Sequence, residues 1–356
     1  MKRRVAALML ALLMAGCTLC GSASAENAVI DIHDADGLRD MVNHPGAHFR
    51  LTGDINLEGN PWTPIPFSGE LDGGGFGIYN MTVTAAGTET RLTHDGNMKE
   101  YETVFAGLFS VAEEAVIRDL RIIGAQVTVD AADHCFAAIL AGFIDRCTID
   151  GVTVEGRVRL NNEAVMAGVA GVAGYGSGYI DNCTAKVELI FEDRNFTSKC
   201  EQFMGGILSC GYTRLRKNTV DIDGYISCNG YVHSGGLMGL YYTCGTKFPL
   251  GWDNRIINDN TVTGRIYFFE HNRNRRAYCS GAIGEILTKL YEKKRNNIRG
   301  FKRKETKDYK HVLLPETCEE PVYEVHVTEP ADGQWGWTEH VCTGCGYSWR
   351  DCYTEP

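Results

Sequence analysis

Phe105-Ala106-Gly107-Leu108-Phe109, Phe136-Ala137-Ala138-Ile139-Leu140, Met166-Ala167-Gly168-Val169-Ala170, Met204-Gly205-Gly206-Ile207-Leu208, Ser234-Gly235-Gly236-Leu237-Met238 and Ser280-Gly281-Ala282-Ile283-Gly284 are variants of one cassette, a patch of small residues inside an apolar run. A polar break and then a β-branched stretch follow the patches. Aligned on the third residue they fall at Gly107, Ala138, Gly168, Gly206, Gly236 and Ala282 (or Gly281), with steps of 31, 30, 38, 30 and about 45. Self-similarity at such a period marks a stacked repeat, in which each unit buries its apolar face only against its neighbours.

A second register runs through the same region. Ile117-Arg118-Asp119-Leu120, Ile144-Asp145-Arg146-Cys147-Thr148-Ile149, Ile180-Asp181-Asn182-Cys183-Thr184, Asn218-Thr219-Val220 and Asn260-Thr261-Val262 place Asn, Asp or Arg at a recurring turn, as does Asn80-Met81-Thr82. Equivalent residues of stacked strands lie about 4.8 Å apart. Asn amides at that spacing can bond to one another up the stack, and Asn tolerates the left-handed backbone of tight turns. A structural role for Asn80, Asn182, Asn218 and Asn260 is therefore favoured over ligand binding.

Composition agrees with an all-β chain that has a real core. Of 356 residues 44% are hydrophobic, and 41 glycines against 9 prolines, without a three-residue period, fit many tight turns. The formal charge of -10 argues against nucleic acid as a partner. Residues 1–25 read as a signal peptide: Lys2, Arg3 and Arg4, the apolar run Val5 to Ala15, and Ala23-Ser24-Ala25 as cleavage site. The competing reading is a lipid anchor at Cys17, because Ala15-Gly16-Cys17 resembles the end of a lipobox. Beyond it no apolar run approaches the roughly 20 residues that cross a bilayer, so no transmembrane segment is expected. The tract Ala164 to Gly176 reads as a buried strand pair.

Residues 26–287 form the repeat domain. Asp34 is an N-cap for a short helix over Ala35 to Asn43, with Leu38, Met41 and Val42 on one side, placed to cover the open end of a stack. The order Leu51-Thr52-Gly53-Asp54-Ile55-Asn56-Leu57, Trp62-Thr63-Pro64-Ile65, then Phe67 to Val83 around Gly73-Gly74-Gly75 resembles the opening of bacterial cell-surface proteins of the pectin-lyase-like superfamily. The patches that follow resemble GLUG-motif repeats. The resemblance covers about Val29 to Leu287. It implies a right-handed parallel β-helix, a solenoid with an N-terminal capping helix, and leaves activity open, since that fold carries lyases, hydrolases, adhesins and passive stalks alike.

Lyases of that fold resemble one another in a cluster of acidic Ca²⁺ ligands with a Lys or Arg base. Asp119, Asp145 and Asp181, near the same turn of consecutive coils, with Arg146 beside them, are the residues this chain offers. Two carboxylates one coil apart can hold Ca²⁺, or act as acid and base on a glycoside when about 5 Å apart. Ordinary turn chemistry explains the same residues and is favoured. No H-E-x-x-H, G-x-S-x-G or P-loop occurs. His94, His134, His233 and His271 stand in different repeats without ligand spacing and read as surface or loop histidines.

Of 14 cysteines, Cys17 and Cys20 lie in the signal region. Cys147 and Cys183 appear at one ladder position of adjacent units, and Cys135 and Cys279 share a phase before their patches. Such stacked thiols are expected buried and unbridged, whereas Cys200, Cys210, Cys228 and Cys244 lie in or beside loops. Residues 288–320, with Lys289, Lys293, Lys294, Arg295, Arg299, Lys302, Arg303, Lys304, Lys307 and Lys310, read as a solvated basic linker or cap in preference to a specific polyanion site; if the segment binds, an acidic glycan or teichoic acid is its natural partner outside a cell. Residues 321–356 form a small CxxC module similar to a Cys-containing repeat of exported gut Firmicutes proteins. Cys342 and Cys345 match its C-x-x-C, Asp332 stands where that repeat has its first cysteine, and Cys352 is extra. A structural zinc would draw on Cys342, Cys345, Cys352 and His340, with Asp332, His326 or Cys318 in reserve; a disulfide or a reduced pair is the alternative.

The functional expectation is a secreted or surface-associated, non-enzymatic protein in adhesion, glycan or cell-wall interaction. The alternative is a polysaccharide lyase or glycoside hydrolase acting from a face of the stack, and a third reading is a spacer without binding power. Tyr231, Tyr241, Tyr242 and Tyr267 on one face would favour glycan contact.

Overall fold

The structure, a computed structural model, describes residues 28–84, 93–94, 100–101, 103–131, 134–162, 166–193, 201–228, 231–241, 256–270, 277–286, 292–294, 296, 302–305, 322–331, 336–343 and 348–354. The period of the sequence reappears as a path. One pass runs through His134–Ala137, Ala141–Asp150 and Thr153–Asn162, the next through Met166–Ala170, Ala173–Asp181 and Thr184–Asp193, and the next through Glu201–Gly205, Leu208–Arg216 and Thr219–Cys228. The three strands of each pass belong to three different sheets, six-, 13- and nine-stranded, visited in the same order. Each strand pairs in parallel with its equivalent in the next pass, as Thr153↔Thr184↔Thr219↔Thr261 illustrates. The chain is thus all-β, mostly parallel strands in large stacked sheets, an arrangement compatible with a solenoid-like fold.

Alternation supplies the strands. In Thr184–Asp193 the side chains of Ala185, Val187, Leu189 and Phe191 are buried in the common core, while Lys186 is exposed and Glu188 half-buried on the other side. That core is continuous from Ile32 to Ile283. The tract that reads as a buried strand pair is one: Met166–Ala170 and the first residues of Ala173–Asp181 are buried throughout.

The small-residue patch has a steric cause that the third-residue alignment only partly captures. Gly171, Gly206 and Gly236 sit at the bend between the six- and 13-stranded sheets. A side-chain carbon on any of them would run into the carbonyl of the glycine one coil on, Gly206, Gly236 or Gly281, and on Gly206 and Gly236 also into Val220 or Val262 of the nine-stranded sheet. Gly168 is not their equivalent. It pairs with Phe136 and Phe203 on the opposite face of the six-stranded sheet. In Ala167-Gly168-Val169-Ala170-Gly171 two glycines compete for the bend, and the core wins Gly171 because Val169 must point inward.

That opposite face carries a second apolar cluster. Phe105, Phe136, Phe203, His233 and Tyr278 occupy one column, and Phe136 and Phe203 approach to 6.3 Å between ring centroids although Gly168 lies between them. Two coils span about 9.6 Å, so the rings lean together over the position where Gly168 has no side chain. Phe203 and His233, then His233 and Tyr278, stack at 5.3 Å each. His134 and His233, expected at the surface or in loops, are instead buried in strands of the six-stranded sheet, and burial pushes the His233 imidazole down to about 4.

The turn from the 13- to the nine-stranded sheet is left-handed, at Asp119 (φ 50°), Gly151 (67°), Asn182 (54°), Lys217 (57°) and Asp259 (59°). Asp and Asn reach this conformation at lower cost than other side chains, which is why the sequence shows them there. The helix is shorter than expected, Ala35–Asp40 followed by a 3₁₀ turn Met41–Asn43. Asp34 Oδ1 accepts from the Gly37 N–H at 2.9 Å, and Leu38 and Met41 are buried whereas Val42 is 43% exposed. At the other end, part of the basic segment adds strands to the stack: Glu292–Lys294 pairs with Ile256–Asn258, and Lys302–Glu305 with Arg265–Phe268. Tyr323–Thr328, Gly336–Cys342 and Ser348–Thr354 make a separate antiparallel sheet.

Candidate functional site

The outward side of the second half of the 13-stranded sheet is a charged surface. Register aligns Asp31, Arg50, Asp72, Arg118, Asp150, Asp181, Arg216, Asn258 and Lys294 in one column running the length of the stack. A parallel column two residues earlier carries His48, Glu70, Val116, Thr148, Tyr179 and Arg214. The inward residues between them, Leu71, Ile117, Ile149, Ile180, Leu215 and Ile257, are fully buried and fix which side chains face out.

Neighbouring charges in these columns neutralise one another. Arg50 reaches Asp31 at 2.7 Å, and Arg118 reaches both Glu70 at 2.7 Å and Asp72 at 2.8 Å. Burial opposes ionisation of Asp72, yet the Gly74 N–H and the Arg118 guanidinium outweigh it and hold its carboxyl below the usual range. Asp181, whose side chain is only 6% exposed, takes the guanidinium of Arg214 and, at 2.9 Å, that of Arg216. Arg214 also lies over the ring of Tyr179, 3.8 Å from its centroid, a cation–π contact that shields the pair.

The acidic residues singled out in the sequence do not converge. Asp181 is in the long column, and Asp119 is the left-handed turn residue after Arg118. Asp145 pairs with Glu113 in an earlier kink of the sheet, where Arg146 adopts φ 53°. There Asp145 accepts from Ser177 Oγ at 3.0 Å and from Arg146 Nε at 3.1 Å, while Arg146 also meets Glu114. The true equivalent of Asp181 one coil back is Asp150, a residue the motif alignment passed over. Among the described residues no group of three or more His, Cys, Asp and Glu is placed to hold a metal ion.

The Asn ladder is real but displaced. Asn218 donates through its N–H and its Nδ2 to Asn260 Oδ1, at 2.9 and 3.0 Å, and Asn260 does the same to Asn296 Oδ1, at 3.1 and 2.9 Å. Asn182 stands one residue away and donates to Asp150 Oδ1 at 2.5 Å, and Asn80 donates to Asn56 Oδ1 at 2.9 Å on the nine-stranded sheet. Asn296 follows the last patch, Ser280 to Gly284, but it sits in the basic segment and lacks the Thr-Val that follows Asn218 and Asn260, so the sequence register does not show it.

Cysteines follow the same pattern. Cys135, Cys147, Cys183 and Cys210 are buried and not disulfide-bonded. Burial drives the Cys147 and Cys183 thiols up to about 12 each, and raises that of Cys135. Cys147 and Cys183 do not share a position: Cys147 pairs with Gly178, whereas the Cys183 N–H donates to Asn218 Oδ1, at 2.9 Å, at the head of the Asn ladder. Cys210 lies in the strand Leu208–Arg216 rather than a loop. In the terminal module His340 is half-buried and pairs with Val325 and Trp349, and Cys342 pairs with Tyr323. Cys352 falls in the bulge beyond the Thr338↔Asp351 pair, at the far end of the sheet from Cys342. That is a separation of about 13 Å or more along the strands, too long for one ion to bind both. Cys318, Asp332 and Cys345 lie outside the described residues, as do His94's neighbours in sequence, His271, Cys200, Cys244 and Tyr242.

The tyrosines do not share a face. Tyr241 is buried and packs on Tyr212 at 5.4 Å, Tyr231 begins a strand of the six-stranded sheet, and Tyr267 lies on the nine-stranded sheet under Arg265 at 5.1 Å. Around Tyr267 that sheet displays cross-strand pairs, Arg157 with Glu188 at 2.6 Å and Arg265 with Asp223 at 2.8 Å. No helix among the described residues is long and apolar enough to cross a membrane. No family model matches the chain, and neither a curated protein nor a solved structure matches it.

Proposed function

We propose that this protein is a secreted or surface-associated, non-enzymatic scaffold, of the pectin-lyase-like and GLUG-repeat kind, that contacts glycan or cell-wall polymer through its outward faces. In this reading the three sheets close into a right-handed parallel β-helix and the helix Ala35–Asp40 covers its first coil. Residues 1–25 direct export, or Cys17 carries a lipid. The observation that supports a binding rather than a catalytic role is the engagement of the carboxylates. Asp145 and Asp181 already accept from arginines and a serine, and they belong to different kinks of the sheet. A general acid needs a carboxyl with a raised pKa aimed at substrate, and a Ca²⁺ site needs several open oxygens. What remains at the surface is stacked rings under guanidinium groups, Tyr179 with Arg214 and Tyr267 with Arg265, a chemistry suited to holding sugars.

The test is a glycan array on residues 26–356, run beside reducing-end and unsaturated-product assays on plant and host polysaccharides. Binding without product is the expected outcome. Product that disappears in Asp145→Asn would replace this reading with the lyase or hydrolase.

A further inference from the structure

Charge is partitioned along the stack. Residues 26–150 carry 20 Asp and Glu against 7 Lys and Arg, whereas residues 201–310 carry 10 against 19. Among the described residues the counts are 15 against 5 within 28–150 and 8 against 9 within 201–305, and the strand order of the 13-stranded sheet lays these coils along the stack in chain order, so the acidic excess belongs to the first coils and is gone from the last. The long column begins at Asp31 and ends at Lys294, eight pairings apart. At about 4.8 Å per pairing the ends are about 38 Å apart. The screening length at physiological ionic strength is about 8 Å, so each end presents its own potential.

The local pairing follows the same gradient. In the early coils one guanidinium, Arg118, is shared by two carboxylates, Glu70 and Asp72. In the later coils one carboxylate, Asp181, is shared by two guanidiniums, Arg214 and Arg216, and Arg216 keeps 44% of its side chain exposed. Lys217, exposed in the left-handed turn, makes no ion pair among the described residues. Register places Lys294 next in the same column, and Lys302 and Lys304 on the edge strand of the neighbouring sheet, whereas Lys293 pairs with the inward position of Ile257.

We propose that the C-terminal coils bind a polyanionic polymer, one with phosphodiester or carboxylate groups repeating along its chain, and that the acidic N-terminal coils face away from it. This rests on the reading of the protein as a glycan- or wall-contacting scaffold and names the class of polymer. A repeating ligand fits because the cations are spread along a ladder instead of converging on one point. The alternative occupant of a basic end is the acidic end of a second copy. The exposed position of Arg216 on the outward side of the sheet, with Lys217 exposed in the turn that follows, favours the polymer.

The experiment measures binding of residues 26–356 to immobilised poly(glycerol phosphate), hyaluronan and neutral pullulan by interferometry between about 50 and about 300 mM salt, a range that shortens the screening length more than twofold. Both polyanions, or one of them, should bind, pullulan should not, and affinity should fall at least about tenfold across the salt range, as counterion-linked binding requires. Lys217→Asn keeps a residue that tolerates the left-handed turn, and should weaken binding about fivefold. Arg216→Gln with Lys217→Asn should weaken it further, and Arg50→Gln at the acidic end should leave it unchanged. Equal affinity of wild type and both Lys217 variants, or salt-independent binding, overturns the inference. Pullulan binding with no polyanion binding overturns it while leaving the scaffold reading intact, and silence toward these polymers and the whole glycan array overturns both. Growth in sedimentation mass at low salt without polymer binding would assign the gradient to a second copy and overturn the proposal too.

Discussion

Removing the middle amide of the Asn ladder should show how much the stack relies on it. Asn260 is fully buried; its Oδ1 accepts from the Asn218 N–H and Nδ2, and its Nδ2 donates to the Leu215 carbonyl at 3.0 Å and to Asn296 Oδ1. Asn260→Ala leaves the Asn218 N–H without its acceptor and takes one donor from Leu215. An orphaned buried backbone donor costs about 1–3 kcal/mol, and the small void adds about 1 kcal/mol, so the loss should be about 2–4 kcal/mol. Asn218 Nδ2 retains the Ile180 carbonyl at 2.9 Å, which keeps the figure from rising further. Urea unfolding reads the stability, and hydrogen exchange at the Asn218 amide reads the mechanism, because that N–H should lose protection locally before global unfolding. Asn182→Ala, at an exposed turn, is the comparison and should cost no more than about 1 kcal/mol. A loss under about 0.5 kcal/mol for Asn260→Ala, or an unchanged Asn218 exchange rate, would refute the reasoning.

Four further outcomes follow from the same geometry. Gly168→Leu should cost about 1–3 kcal/mol in unfolding free energy, since the added side chain displaces the buried Ser209 hydroxyl and the Phe136 ring, and a neutral effect would show that the space over Gly168 is not filled by these groups. Asp181→Asn strips the shared charge from Arg214 and Arg216 and should lower stability by more than Asp145→Asn, because the Asp145 side chain is 31% exposed against 6% for Asp181, with thermal melting as the readout. His233 binds its proton less readily folded than unfolded, so stability should decline as pH falls from about 6.5 to about 4 and level off below; His233→Phe should flatten that segment of the unfolding profile. Cys135, Cys147 and Cys183 should resist a thiol reagent at neutral pH in the folded protein and react on unfolding; rapid labelling of the native state would contradict their burial.

The period and the alternation of apolar residues were legible in the chain because stacking repeats the same demand every turn. Inward positions such as Ile117, Ile149, Ile180 and Leu215 must be large and apolar, and the bend must be small. Those are local requirements, and composition records them. The acidic candidates were less legible. Asp-Arg-Cys at 145–147 and Asp-Asn-Cys at 181–183 look alike as strings, yet one sits in a kink and the other at the exit of the sheet. Tyr179 and Arg214 carry no motif at all; only their pairing across coils makes them neighbours.

By itself, then, the amino-acid order determined that strands recur, which residues alternate, where Asp and Asn turn the backbone left-handed, and how charge divides between the two halves. The tertiary structure decided which glycine occupies the bend, which asparagines stack, and which arginines share Asp181. The reason is that parallel register joins residues some 30 to 45 positions apart in the chain, as in Asp150↔Asp181 and Asn218 to Asn260. A slip of one residue there would turn every outward side chain inward, and the packing of the whole core, not any local stretch, selects the register that prevails.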